Sequence, residues 1–201
     1  MRLLCAGTAA SLLACSMAGF ADTYGNCDKP VEATLRSRGA LVIESKPAGI
    51  EIVGTEEDVV RVTCTVDHGA DPHDFELRLS GTAGFERLTV SGGGAIHNEN
   101  LEIRIEVPRK TNLKVHMDAG QVKIEAIAGD KDVDLYAGQI VIASPDVSNY
   151  RSVDASVTIG EVKASAWGVE KGGFFRSFTR TTGDGEYRLR AHVLTGQIDL
   201  E

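Results

Sequence analysis

Residues 119–143 read AGQVKIEAIAGDKDVDLYAGQIVIA and hold one unit twice, Ala119-Gly120-Gln121-Val122 and Ala137-Gly138-Gln139-Ile140. The unit returns as Thr195-Gly196-Gln197-Ile198 and, more loosely, as Ile159-Gly160-Glu161-Val162, so its glycines are separated by 18, 22 and 36 residues. Apolar residues alternate with polar ones on both sides of each Gly. Leu113/Val115 and Val122/Ile124 flank the first, and Val133/Leu135 and Ile140/Ile142 the second. Val153/Ala155 and Val162/Ala164 flank Gly160, and Leu189/Ala191 and Ile198/Leu200 flank Gly196. Alternation at period two marks a half-buried strand. A unit of about 20 residues with two short strands around a Gly cannot bury its apolar side chains alone, so neighbouring units must stack. The expected fold is all-β, a single-domain β-solenoid or closely related stacked-sheet repeat of short strands. Gly at each corner admits positive φ, or the close approach of a neighbouring coil. The recurrent Gln either ladders its amide onto the Gln of the next coil or stays solvated.

Working outward, Leu101, Ile103, Ile105 and Val107 alternate with Glu102, Arg104 and Glu106 until Pro108 ends the strand. Weaker copies precede it at Leu41-Val42-Ile43, Gly49-Ile50-Glu51-Ile52 and Val59-Val60-Arg61-Val62. Further strands are expected at Phe75–Leu79 and Arg87–Val90, before Ser91-Gly92-Gly93-Gly94. Beyond residue 21, Val and Ile number 31 against 11 Leu, and branching at Cβ suits a pleated sheet better than a helix. No stretch rich in Pro or Ser divides the chain into two domains.

The chain opens MRLLCAGTAASLLACSMAGFA, one positive charge followed by an apolar, small-residue run, and then Asp22. That pattern predicts a secretory signal peptide over 1–21, followed by an N-terminal segment at 22–40 and the repeat domain at 41–201. Leu12-Leu13-Ala14-Cys15 also approximates a lipoprotein box, so the exported product is either a periplasmic or extracellular protein or an outer-membrane lipoprotein held through Cys15. No later segment is apolar for long enough to span a membrane. Removing residues 1–21 leaves 180 residues with 20 basic and 29 acidic side chains, a net charge of −9 that repels nucleic acid. Cys27 and Cys64 remain for an oxidising compartment, where they form either one disulfide or two buried thiols.

LEIRIEVPRKTNLKV at 101–115, the Ala-Gly-Gln-aliphatic repeats at 119–142 and YRLRAHVLTGQIDL at 187–200 resemble the bacterial secreted putative adhesin family, adhesin-like domains of unknown function. The likeness spans about residues 40–201. It implies a β-solenoid or sandwich-like stack and brings no catalytic residues or cofactor. The chain departs from simple repetition at 165–186, read as an insertion in place of regular strands.

That insertion contains the single Trp, Trp167, and Phe174, Phe175 and Phe178. If 174–180 is extended, Phe174, Arg176, Phe178 and Arg180 share one face, a candidate ligand surface for an anionic glycan or another envelope component. The structural alternative is that the rings cap an open end of the stack while the Arg stems cover apolar surface. Asp67, His68, Asp71, His73 and Asp74 lack a regular ligand spacing and read as a solvated turn rather than a metal site. Asp130, Asp132 and Asp134 begin like a calcium loop, but Leu135 and Val141 stand where Gly and Glu are required. There is no nucleophile elbow, zinc-protease motif or phosphate loop, and His97, His116 and His192 have no marked partner. The expectation is a non-catalytic, adhesin-like binding or structural protein of the cell envelope, without metal or cofactor. The alternative is a polysaccharide-active β-helix lyase or glycosidase that draws carboxylates from successive coils.

Overall fold

The computed structural model describes residues 21–66, 71–92, 101–143 and 147–201. Residues 1–20 of the predicted leader, Cys15 included, and Asp67, His68, Gly93-Gly94 and His97 lie outside them, while Ala21 is described. The described chain is all-β and contains no α-helix. Its strands are β1 (Ala21–Gly25), β2 (Val31–Thr34), β3 (Ala40–Ser45), β4 (Ala48–Thr55), β5 (Val59–Val66), β6 (Phe75–Thr82) and β7 (Phe85–Gly92). There follow β8 (Leu101–Pro108), β9 (Asn112–Glu125), β10 (Lys131–Ala143), β11 (Tyr150–Ala164), β12 (Val169–Thr181) and β13 (Tyr187–Leu200).

The short strands expected on either side of each motif Gly are the two halves of one long strand that turns a corner at that Gly. β9 and β10 run parallel and in register, with Val115 beside Val133, Gly120 beside Gly138 and Ile124 beside Ile142. β13 continues the stack on β10, and β11 on β13, so Gly120, Gly138, Gly196 and Gly160 lie side by side across four strands. β3 and β4 act as the two halves of one further bent strand, pairing with Asn112–Met117 and Gly120–Glu125 of β9.

Beyond β3 and β4 the sheet divides into two branches, β7-β6-β1 and β8-β5-β2. It is one large open sheet, with β1, β2 and β12 as its outermost strands among the described residues. Side chains from both halves of the bent strands line a single core. Leu41, Leu113, Val115, Met117 and Leu135 come from one half, and Ile50, Ile52, Val122, Ile124 and Ile142 from the other. β1 and β2, from the predicted N-terminal segment, belong to this same sheet.

The insertion at 165–186 forms a strand of its own. After a 3₁₀ turn at Ser165–Trp167, β12 runs back antiparallel along the whole of β11, and its Gly173 meets Gly160 at the corner. β13 then fills the place between β10 and β11. The 36-residue gap between Gly160 and Gly196 therefore includes the whole of β12.

The Gln ladder forms for one step. Gln121 Nε2 donates to Gln139 Oε1 at 3.1 Å, but Gln139 Nε2 donates to Asp199 Oδ2 at 2.6 Å. Gln197, although in register with Gln139, donates to the same carboxylate at 2.7 Å. A carboxylate accepts from both amides more strongly than a neutral oxygen would, so Asp199 ends the ladder.

Two inward-facing charges interrupt the core. One lateral row of the sheet runs Glu86, Leu41, Leu113, Lys131, Leu189. Lys131 stands among leucines and is only 2% exposed. Its ammonium donates to the carbonyls of Ile127 (2.8 Å) and Gly129 (3.2 Å) and to the Tyr150 hydroxyl, which closes the turn between β9 and β10. Burial pushes Lys131 down to about 7, partly offset by Asp130. Because the unfolded lysine holds its proton to a higher pH than the folded one, stability rises with pH across this window. Between about pH 7 and 8.5 the gain is roughly 1.5 kcal/mol. Urea unfolding at both pH values checks it, and Lys131→Met should flatten the difference; a wild-type midpoint that falls over this interval contradicts the assignment. Glu86 is the second case: Oε2 is buried without a hydrogen-bond partner, and burial raises its pKa to about 6.

Candidate functional site

β12 carries the candidate ligand surface, and its register with β11 explains how the four predicted side chains are disposed. Phe174, Arg176, Phe178 and Arg180 stand opposite Ile159, Val157, Ala155 and Val153, of which the last three face the core. They do not share one environment. Phe178 lies over the small Ala155 and is buried, its ring 5.2 Å from that of Trp167. Phe174, Arg176 and Arg180 are exposed, because no further strand covers this end of the stack. The corner at Gly173, followed by Phe175 at φ 52°, turns Phe174 and Phe175 outward, 67% and 81% exposed. With Ile159, 45% exposed, they form an apolar tip. Sequence reasoning thus placed the aromatic and basic residues in one region but did not foresee the corner that separates Phe174 from Phe178. Trp167 and Phe178 pack on the core, while Phe174, Phe175 and the two arginines are exposed.

Many of the exposed charges elsewhere on the sheet are paired. On the outer face of one half of the sheet, Glu32, Arg61, Glu106, Arg104, Glu51 and Lys123 form a continuous chain of ion pairs across β2, β5, β8, β4 and β9. Arg38, Arg78, Arg87, Arg109 and Arg190 also sit against carboxylates. Such exposed pairs add little stability each, but they leave these charges already matched. Among the described residues, Lys171, Arg176 and Arg180 have no carboxylate within ion-pair distance, a condition they share with cations such as Lys29, Lys114 and Arg188, but here three of them follow one another along a single end strand. Lys171 Nζ donates to the Ser177 carbonyl at 3.0 Å, and Arg176 Nε to that of Gly172 at 2.7 Å.

The remaining predicted sites separate. His73 is held between Asn26 Nδ2, 2.8 Å from Nδ1, and Asp28, 3.2 Å from Nε2. Asp71 accepts the His73 backbone N–H at 2.9 Å, capping the 3₁₀ turn Pro72–Asp74. Asp130 accepts the Arg188 backbone N–H at 2.7 Å, while Asp132 faces Arg190. No group of three or more metal-ligating side chains is present among the described residues. Ser156 Oγ lies 3.0 Å from His192 Nδ1, a pairing between β11 and β13 that the sequence did not mark. Two concavities among the described residues lie away from β12. One of about 540 Å³ includes Tyr24, Lys29, His73 and Glu76, and another of about 470 Å³ follows the corner past Pro47, Gly49, Glu102 and Gln121.

Cys27 and Cys64 are joined as a disulfide with a Cα–Cα distance of 5.0 Å. The bond ties the β1–β2 connection to β5. No helix among the described residues is long and apolar enough to cross a membrane.

No protein-family model and no curated protein matches the sequence. The chain is similar in fold to a crystal structure described as a "putative cell adhesion protein" from Clostridium sporogenes ATCC 15579. That likeness covers 86% of this chain and 98% of the other, with a TM-score of 0.51 and 14% identity. At that identity the two share an architecture, an all-β chain dominated by a large open sheet, and a fold by itself does not carry a function.

Proposed function

We propose that the protein is an exported, non-catalytic, adhesin-like binding protein of the bacterial cell envelope. In this reading it is a short β-solenoid whose last coil meets an anionic glycan or another envelope component. The observation that carries the reading is the surface of β12: exposed Phe174 and Phe175 beside Arg176 and Arg180, which lack carboxylate partners among the described residues of an acidic, ion-paired protein. Guanidinium groups take carboxylates or phosphates through paired hydrogen bonds, and exposed rings stack on planar sugar faces. In-register stacking of the glycine corners supports the solenoid, the disulfide supports export, and the described adhesion protein of similar fold supports the adhesin-like role.

Replacing Arg176 and Arg180 together by Ala should weaken retention of monomeric protein on an anionic glycan or isolated envelope fraction by roughly tenfold, equivalent to about 1.4 kcal/mol. The unfolding midpoint should stay within error, because both side chains are exposed. Retention that is unchanged and insensitive to salt overturns the site. Cleavage of an envelope polysaccharide that is abolished by changing one carboxylate overturns the non-catalytic assignment.

A further inference from the structure

β12 pairs with β11 and with no other strand among the described residues, so its outer edge is open along 13 residues. An open strand edge is a template for another strand. The most available partner is a second copy of this chain, which presents the same edge. The coils behind β12 already form an in-register lattice, and addition at the edge would extend it. The exposed rings of Phe174 and Phe175 favour such an addition.

Two features of β12 oppose it. On the side where β11 places Val153, Val157 and Val162 in the core, β12 places Arg180, Arg176 and Lys171. A strand laid against the open edge would cover these three cations inside an extended apolar core, and buried charge without a counter-charge costs several kcal/mol. The second feature is that Arg176 Nε and Lys171 Nζ donate to the Gly172 and Ser177 carbonyls, which ties both cations to β12 itself. Inward-pointing charge and basic side chains on the edge are the means by which open sheets resist edge-to-edge assembly.

We infer that Lys171, Arg176 and Arg180 form a guard that keeps the open edge of β12 shut to a second copy of the chain. The guard needs no ligand, so it stands or falls separately from the binding role proposed for the same strand.

The test is Lys171→Val with Arg176→Val and Arg180→Thr, followed without ligand by size-exclusion chromatography with light scattering across a dilution series. Wild-type protein is expected to be monomeric, and the triple variant to associate with a constant roughly 100-fold higher or more. A control with Lys29, Lys114 and Arg188 replaced by Val removes the same charge from exposed positions off this edge and should stay monomeric. Arg176→Val alone alters one exposed strand position and serves, with circular dichroism to verify the fold, if the triple variant is not recovered. Wild-type protein that self-associates, a folded guard variant that remains monomeric, or a control that assembles equally well each overturns the guard.

Discussion

Gly138→Val should abolish the fold at ordinary temperature, with a cost of about 4 kcal/mol or more. Gly138 has φ +134°, a conformation L side chains rarely adopt, and a Cβ there would lie 1.9 Å from the Gly120 carbonyl oxygen of the neighbouring strand β9. The obstacle is backbone, and it cannot move aside independently. A Cβ on Gly120 would in turn meet the Ala48 oxygen at 2.0 Å, and one on Gly196 the Gly138 oxygen at 1.7 Å. Separating one pair of these bent strands would break the register of the whole corner, which joins both halves of the core. Gly84 is the comparison, because nothing lies within 4 Å of a Cβ placed there. Gly84→Ala should therefore change stability by no more than about 0.5 kcal/mol. Urea unfolding of the two variants decides it: similar midpoints would mean that the corner does not depend on close backbone approach.

Breaking the Cys27–Cys64 bond is expected to cost roughly 4 kcal/mol, because the bond closes a 37-residue separation in the unfolded chain. The loss should fall first on the N-terminal branches. The β1–β2 connection holds Cys27, and β1 and β2 are outermost strands, each paired along one edge only among the described residues. Hydrogen exchange of Cys27→Ala with Cys64→Ala should quicken in β1 and β2 well before β9 and β10. A reduced protein with an unchanged unfolding midpoint and unchanged exchange in β1 and β2 would show that the crosslink adds nothing.

Much of this architecture was legible from spacing. Alternation identified both halves of β9 and β10 because one side of each strand is buried, and a one-residue slip would turn every apolar side chain to solvent. The recurring Gly marked the corners because no other residue tolerates both the positive φ and the contact with the next coil. The same alternation could have exposed Lys131 and Glu86, which share parity with Val133 and Leu135 and with Leu88 and Val90. Lys131 tolerates its place because the turn at Ile127–Gly129 supplies acceptors, and that turn exists only once β9 and β10 have stacked.

The candidate surface was less legible. Phe174, Arg176, Phe178 and Arg180 have strand spacing, which placed them together, but burial of Phe178 depends on Trp167 and on the small Ala155 across the pair. Exposure of Phe174 and Phe175 depends on the corner aligned with Gly160.

By itself, the sequence determined the strand periodicity, the glycine corners and the pair of cysteines available to bond, because each follows from the conformational limits or side-chain chemistry of single residues. Only the tertiary structure decided that β13 enters between β10 and β11, that β12 runs antiparallel as the end strand, and that Asp199 rather than Gln197 ends the amide ladder. Strands with the same corner unit can pair in more than one order while satisfying the same local preferences. Their order is settled by long-range hydrogen bonding and by which side chains the completed core can bury.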